Sequence, residues 1–302
     1  MAHAIGYTVI GLTDTMRRHA PDIVLLLGDR GEMLAGAIAA LHSGIPIAHL
    51  HGGERSGTVD EPVRHAISKL SHWHFVATEE SRERLIHMGE RPERVWVTGA
   101  PSLDGIESEA DLSREATLRT LCLNTQDRYA LVLFHPVVQE ANDACSQTLA
   151  LRQALERVVI ASGRQVVWLD PNADAGGGGI LQALTGASVH RIRHLPRTHY
   201  LAALRHADVL AGNSSSGIIE AASFGTPVVN VGSRQNARQR NANTRDCEPK
   251  QAAIESALRV QLSHGPYSRT NVYGEGGAGK RIVNLLATHP FASDILNKVN
   301  TY

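Results

Sequence analysis

The sequence predicts an α/β protein made of two doubly wound parallel-sheet domains, and three observations predict it. Short, continuous apolar runs recur along the chain, each feeding a helix-like stretch. The alternation stops once, in a charged and polar segment between Pro101 and Arg128, and resumes at Tyr129. At 302 residues and 42% hydrophobic composition, the chain can bury a sizeable core and exceeds most single domains.

Taken in order, residues 22–28 (DIVLLLG) read as a buried strand entered from Pro21, and Met33 to Leu41 as the helix it feeds. Ile45 to Leu50, His74 to Thr78 and Val95 to Gly99 read as further strands, with helices over Glu61 to Leu70 and Glu80 to Met88. Beyond the polar segment, strands are expected at Tyr129 to Phe134, Val166 to Leu169, Ser188 to Ile192, Asp208 to Ala211 and Pro227 to Val231. Helices are expected over Thr148 to Ser162, Thr198 to His206 and Ile218 to Phe224. The expected division is therefore a first Rossmann-like domain over 1–110 and a second over 111–302, the two facing a cleft, with a last helix able to pack back on the first domain. In such sheets ligands sit beyond the carboxyl ends of the strands, so chemistry is sought in the residues that follow each strand.

Composition narrows the partners. Thirty basic and thirty acidic residues leave no formal net charge, which removes the electrostatic argument for nucleic acid or a membrane surface. No apolar run approaches the roughly 20 residues of a membrane span, and the first six residues do not read as a signal peptide. Cys122, Cys145 and Cys247 are odd in number and widely spaced, which fits a reducing compartment and a cytoplasmic protein.

The strand ends are unusually polar. The first ends in Gly28-Asp29-Arg30, and the second in His49-Leu50-His51-Gly52-Gly53-Glu54. The alternation of His49 and His51, repeated at His72 and His74, raises a metal site, but no acidic or cysteine ligand is spaced to complete a tetrahedron; no metal is expected. Thr58 and Glu61 fit a capping box with Pro62 in the first turn. Asp60, Glu61, Arg64, His65 and Ser68 share one face of that helix at the expected ligand edge, so capping and an acid–base role stand side by side.

In the second half, Gly212-Asn213-Ser214-Ser215-Ser216-Gly217 opens a helix with small residues and hydroxyls, a seat for an anion. Glu220, one turn on, can accept the hydroxyls of a ribose. Arg234, Arg238, Arg240 and Arg245 follow the next strand as either a solvated face or a diphosphate clamp. His135 and Asn172 each follow a strand, suited to a leaving phosphate and to a base or phosphate respectively.

The strings GDR, HGGE, DExxRHAISKLSH, FHP, PNADAG, GNSSSGIIEAASFGTP and NVGSRQNARQR, in this order, resemble those of the hydrolysing UDP-N-acetylglucosamine 2-epimerases of sialic- and legionaminic-acid synthesis, over nearly the whole chain. The resemblance implies a glycosyltransferase-B-like fold and conversion of UDP-N-acetylglucosamine, or a related UDP-2-acetamido sugar, to UDP and N-acetylmannosamine or its analogue. Elimination of UDP would come first and addition of water second, with no cofactor. It implies catalytic roles for Asp29, Asp60 and His135 with Arg64 in support, and substrate binding by Arg30, Asn172, Ser214, Ser215, Glu220 and Arg234. Asn213 and Glu61 join the binding set. One relative carries glutamate where this chain has His51, which leaves His51 as a binding residue and nearby Glu54 as the substitute acid–base group. A homodimer or higher homo-oligomer is implied by the resemblance alone. Family members begin with further strand–helix units before the GDR strand, so the first domain is expected to be incomplete at its N-terminus, with an exposed sheet edge. A glycosyltransferase of the same fold, or a UDP-sugar-binding protein without turnover, are the competing readings.

Overall fold

The first helix, α1 (Ala2–His19), runs into β1 (Val24–Leu27), α2 (Gly31–His42), β2 (Ile47–Leu50), α3 (Asp60–Leu70), β3 (Trp73–Val76), α4 (Glu79–His87) and β4 (Val95–Val97) in the computed structural model, which describes residues 2–57, 60–172, 175–289 and 294–301. The strands form a four-stranded parallel sheet in the order β1-β2-β3-β4. All four residues of β2 and of β3 are buried, as the continuous apolar runs demand of a sheet covered on both faces. One face packs Leu26 and Ile47 against Met16 of α1, Ala37 and Ala40 of α2 and Ile67 of α3. β1 is an edge strand, and its Leu25 and Leu27 stand more than half exposed at 51% and 54%. Thr78 caps α4 by accepting the Ser81 N–H at 3.3 Å.

The charged segment, where the alternation was expected to stop, holds two short helices, α5 (Ile106–Glu109) and α6 (Arg114–Thr120), the latter capped by Ser113. Then follow β5 (Tyr129–Leu133), α7 (Ala144–Val158), β6 (Gln165–Leu169), α8 (Gly177–Ala183), β7 (His190–Ile192), α9 (Arg197–His206), β8 (Val209–Gly212), α10 (Ser215–Ile219), α11 (Ala221–Phe224), β9 (Val228–Val231), β10 (Thr244–Cys247) and α12 (Gln251–His264). This second, six-stranded sheet is parallel throughout, in the order β10-β9-β8-β5-β6-β7. Its core joins Val132, Trp168 and Val229 to Leu151 and Leu155 of α7 and Ile254 and Leu258 of α12. The helix expected over Ile218 to Phe224 is two short ones that meet at Glu220, and β10 has no counterpart among the expected strands.

The chain closes with α13 (Ala278–Thr288), and two compact units result: 1–104 with 273–302, and 105–272. Asp104 fixes the return by receiving the N–H groups of Ala278 and Gly279, both at 2.7 Å, a carboxylate at a helix N-terminus. Ile282 of α13 and Ile295 then cover Ala48, Leu50, Trp73 and Phe75 on the second face of the first sheet. Lys298 completes the clasp, its ammonium donating to Ser68 and Ser71 carbonyls at the end of α3 and pairing with Glu90 at 2.7 Å.

Candidate active site

Each sheet collects polar residues at its carboxyl edge. In the first unit, Gly28 turns the chain out of β1 with φ 81°, a left-handed value that glycine adopts without strain, and delivers Asp29. Arg64, 1% exposed on α3, is the hub. Its guanidinium forms an ion pair with Asp29, donates to the Glu54 carbonyl at 2.9 Å and approaches the Ser56 hydroxyl at 3.4 Å. The buried cation thus joins the turn after β1 to the loop after β2, and that loop ends where α3 begins. Burial of a cation is tolerated where it is paired and hydrogen-bonded, as here.

His51 sits just past β2 with φ 61°, a conformation few side chains other than glycine adopt. Its Nδ1 lies 2.5 Å from Oε1 of the buried Glu54. A carboxylate accepts, so Nδ1 carries the proton and the Nε2 lone pair is left as the basic position of a neutral ring. Asp60 opens α3 and is half-buried. Glu61 is committed to the loop, with Oε2 receiving the Ser56 and Gly57 N–H groups, both at 2.8 Å. Burial pushes its pKa up, but those two donors, with His65 and Arg55 nearby, outweigh burial and hold it below the usual value. The Thr58 half of the expected capping box lies outside the described residues. Arg30 is exposed at the N-cap of α2.

His49 has no ring nitrogen left for a metal: Nε2 meets the Gly28 carbonyl at 2.8 Å and Nδ1 the Ser68 hydroxyl at 3.0 Å. Among the described residues no three His, Cys, Asp or Glu side chains cluster as metal ligands.

In the second unit Asn213, 1% exposed, zips the end of β8 to the end of β5: its Oδ1 accepts the His135 N–H at 2.7 Å and its Nδ2 donates to the His135 carbonyl at 2.8 Å. Asn213 therefore holds the site's backbone, and its carbonyl is in turn held by Arg234 at 3.2 Å and Gln235 at 3.1 Å. The Asn172 N–H donates to His135 Nδ1 at 3.2 Å, which places the proton of a neutral His135 on Nε2. Gly212, φ 139°, passes so close to β5 that an added Cβ would meet the Leu133 carbonyl oxygen at 1.9 Å. Ser214 caps α10 and Ser215 begins it, both half-buried; α10 is only five residues long, so hydroxyls and loop N–H groups, more than a helix dipole, make this seat.

Glu220 belongs to a chain of contacts that the sequence did not reveal. Arg197 bridges it at 3.0 Å and Glu109 at 2.6 Å, Ser216 donates to its Oε2 at 2.5 Å, and Tyr200 donates in turn to Ser216. Burial, then the charge of Glu220, pushes the Tyr200 phenol upward, so it stays a donor. Of the arginines after β9, Arg240 is bound to Asp246 and to the Gln235 carbonyl and locks its own loop. A pocket of about 420 Å³ lies at the ends of β6 and β7, lined by Asn172, Asp170, Leu181, Arg193 and His194 among others. Ala173 and Asp174 of the PNADAG string lie outside the described residues. Arg193 and His194 directly follow the strand expected over Ser188 to Ile192, yet the sequence reading did not single them out.

Comparisons place this arrangement. A profile described as UDP-N-acetylglucosamine 2-epimerase matches residues 1–287. The hydrolysing UDP-N,N'-diacetylbacillosamine 2-epimerase of Legionella pneumophila is 48% identical over all of this chain and 80% of its own length. A UDP-N-acetylglucosamine 2-epimerase of Neisseria meningitidis is 34% identical over 91% of this chain and 73% of its own. A crystal structure of such an enzyme from Neisseria meningitidis bound to UDP-GlcNAc shares the fold at a TM-score of 0.81 and 21% identity, covering 94% of this chain and 81% of that one. A Staphylococcus aureus MnaA–UDP complex follows at 0.78, 21% identity, 93% and 78%. With a profile match over nearly its whole length and close identity to a hydrolysing enzyme, this chain belongs to the UDP-N-acetylglucosamine 2-epimerase family, among its hydrolysing members.

Proposed function

We propose that the chain converts a UDP-2-acetamido sugar to UDP and the free 2-epimeric sugar by elimination of UDP and addition of water. The observation that carries this reading is the pairing of His51 with Glu54 close to Asp60 in sequence, beside the Asp29–Arg64 ion pair. Inversion at C2 requires a proton to leave one face of the ring and another to arrive on the opposite face, so two acid–base groups are needed. His51, its Nδ1–H fixed on Glu54, presents Nε2 as the group that takes the C2 proton. Asp60 serves as the second group, and Arg64 holds the Asp29 carboxylate in place at the edge of the site. The C2–H pair forms the C1–C2 double bond as the C1–O bond breaks toward the diphosphate; water then adds its hydroxyl at C1 while C2 regains a proton.

The second unit carries the nucleotide. Ser214, Ser215 and Arg234 take the diphosphate, His135 donates from Nε2 to the departing phosphate, and Glu220 receives the ribose once a hydroxyl displaces Ser216 or Arg197. The pocket beside Asn172 has the size and mixed polarity for a planar base. Arg30 and Glu61 border the first unit's site, Glu61 through the loop it holds, and Asn213 serves the second unit's site through His135. The substrate is UDP-N-acetylglucosamine or a 2,4-diacetamido relative such as UDP-N,N'-diacetylbacillosamine, the sugar named for the Legionella enzyme. The product would feed sialic- or legionaminic-type acid synthesis in the cytoplasm, and a homo-oligomer is the working assembly.

The test is NMR of the purified protein with each UDP-sugar in deuterated water. Free UDP together with a 2-epimeric sugar deuterated at C2 is the expected outcome. Transfer to an acceptor sugar, or UDP binding without release of any sugar, would replace this reading by one of its two competitors.

A further inference from the structure

We propose that His49 is a positioning residue for the first unit's site: a neutral imidazole, proton on Nε2, that locks the Asp29 turn, the His51–Glu54 loop and the α3 face bearing Asp60 and Arg64 into one arrangement. The proposal rests on the assignment of those residues to proton transfer made above.

The geometry is closed on every side. His49 is fully buried in the middle of the sheet, paired with Leu26 on β1 and His74 on β3. A carbonyl only accepts, so the 2.8 Å contact to Gly28 puts the proton on Nε2, and the remaining lone pair on Nδ1 receives the Ser68 hydroxyl at 3.0 Å. Gly28 immediately precedes Asp29, and its N–H is held by the Leu50 carbonyl at 3.0 Å, so both polar groups of this left-handed residue are tied to β2. Ser68 lies one helical turn beyond Arg64, on the same face of α3. The His49–Ser68 contact therefore sets the depth at which α3 packs, and with it the reach of Arg64 to Asp29. Gly52 seals the group. A Cβ there would come within 2.9 Å of Ser68 Oγ and 3.0 Å of His49 Nδ1, so the backbone of the loop that carries His51 and Glu54 lies directly on the pair.

Burial outweighs the Gly28 carbonyl, which favours a second proton. Burial foremost, then His74, Arg64 and His51, push its pKa to about 3, against the Gly28 carbonyl. The tautomer is thus fixed across the range in which the enzyme works, and the two polar contacts keep one geometry. A hydrocarbon side chain of similar size would fill the same core and lose both.

Long-range proton–nitrogen NMR of the ¹⁵N-labelled chain reads the tautomer directly. The expected result is Nε2 protonated and Nδ1 bare, unchanged from pH 8 to about pH 5.5; a proton on Nδ1, or titration in that window, overturns the proposal. Kinetics of three variants read the positioning. His49→Leu is expected to lower kcat about 10- to 100-fold with KM within about threefold, the usual cost of losing a residue that orients a catalytic group. His49→Gln, whose amide again offers one donor and one acceptor, is expected to recover most of that loss. Should the leucine variant not fold, Ser68→Ala carries the test, with a loss in kcat of about tenfold. Wild-type kcat in a folded His49→Leu or Ser68→Ala, or equal losses in the glutamine and leucine variants, refutes the proposal. If the wild-type protein turns over no UDP-sugar, the functional reading fails instead, and the NMR result with a crystal structure of Ser68→Ala still decides: an unmoved Asp29–Arg64 pair refutes the positioning role.

Discussion

Lowering the pH from 7 to 5 should destabilise this protein by roughly 4 kcal/mol, and the loss can be assigned to two imidazoles. His49 is fully buried and His72 is 2% exposed. Burial foremost, with cationic neighbours, holds their pKa values at about 3 and about 4 against an ordinary 6.5. Because the folded-state values are lowered, the unfolded chain takes up protons that the folded chain refuses, and stability falls as pH drops through 6.5 until the folded values are reached. One pKa unit is worth about 1.4 kcal/mol, so by pH 5 each imidazole has cost roughly 2 kcal/mol. His65 and His74, also held low mainly by burial, act in the same direction. A typical domain has only about 5–15 kcal/mol in reserve, so the effect is large. The assay is urea unfolding followed by circular dichroism at both pH values, on the wild type and on His72→Gln. The substitution keeps an acceptor for the Ile47 N–H, which His72 Nδ1 now receives at 3.1 Å. It should remove about half of the pH-dependent loss. A stability unchanged between pH 7 and 5, or a His72→Gln protein with the full wild-type loss, would refute the reasoning.

Three further substitutions test the site and its frame. Gly212→Ala forces a methyl to within 1.9 Å of the Leu133 oxygen at a φ of 139°, and should cost at least about 2 kcal/mol in unfolding free energy; a cost below about 0.5 kcal/mol would show that the strands separate freely there. Ser214→Ala should weaken UDP binding by about 1 kcal/mol, close to fivefold in Kd by calorimetry, and an unchanged Kd removes the hydroxyl from the anion seat. Asp60→Asn should abolish sugar release while UDP affinity stays within a few-fold; normal turnover with a tenfold loss of UDP binding would make Asp60 a binding residue and no more.

How far the sequence carried this picture follows from what each element has to bury. Strands such as WHFV and YALVL lie inside parallel sheets, and their continuous apolar runs could be read without a structure. β10, with the residues Thr-Arg-Asp-Cys, is an edge strand whose middle is exposed, and it carries no such signal. The turns bearing Asp29, His51, His135 and Ser214 were readable for a related reason, since loops at the carboxyl ends of parallel strands are where backbone polar groups are left over. Partnership was not readable. Nothing in local spacing announces that Arg64 will reach Asp29 across 35 positions, or that Arg197 will reach Glu220 across 23. Nor does it announce that the amide of Asn213 is spent on backbone: such facts exist only once the sheets have formed.

The chain's return to its first unit has a consequence for synthesis. Leu50, Trp73 and Phe75 leave the ribosome early, but Ile282 and Ile295, which cover them, are made only after the whole of 105–272. At roughly 5–20 residues per second the nascent sheet waits on the order of ten to thirty seconds with one apolar face bare. The intervening unit is continuous in sequence and can fold during that interval. The first cannot finish until Asp104 meets the N-terminus of α13, so a nascent chain stalled anywhere before Ala278 presents the cell's holdase chaperones with an open aromatic surface.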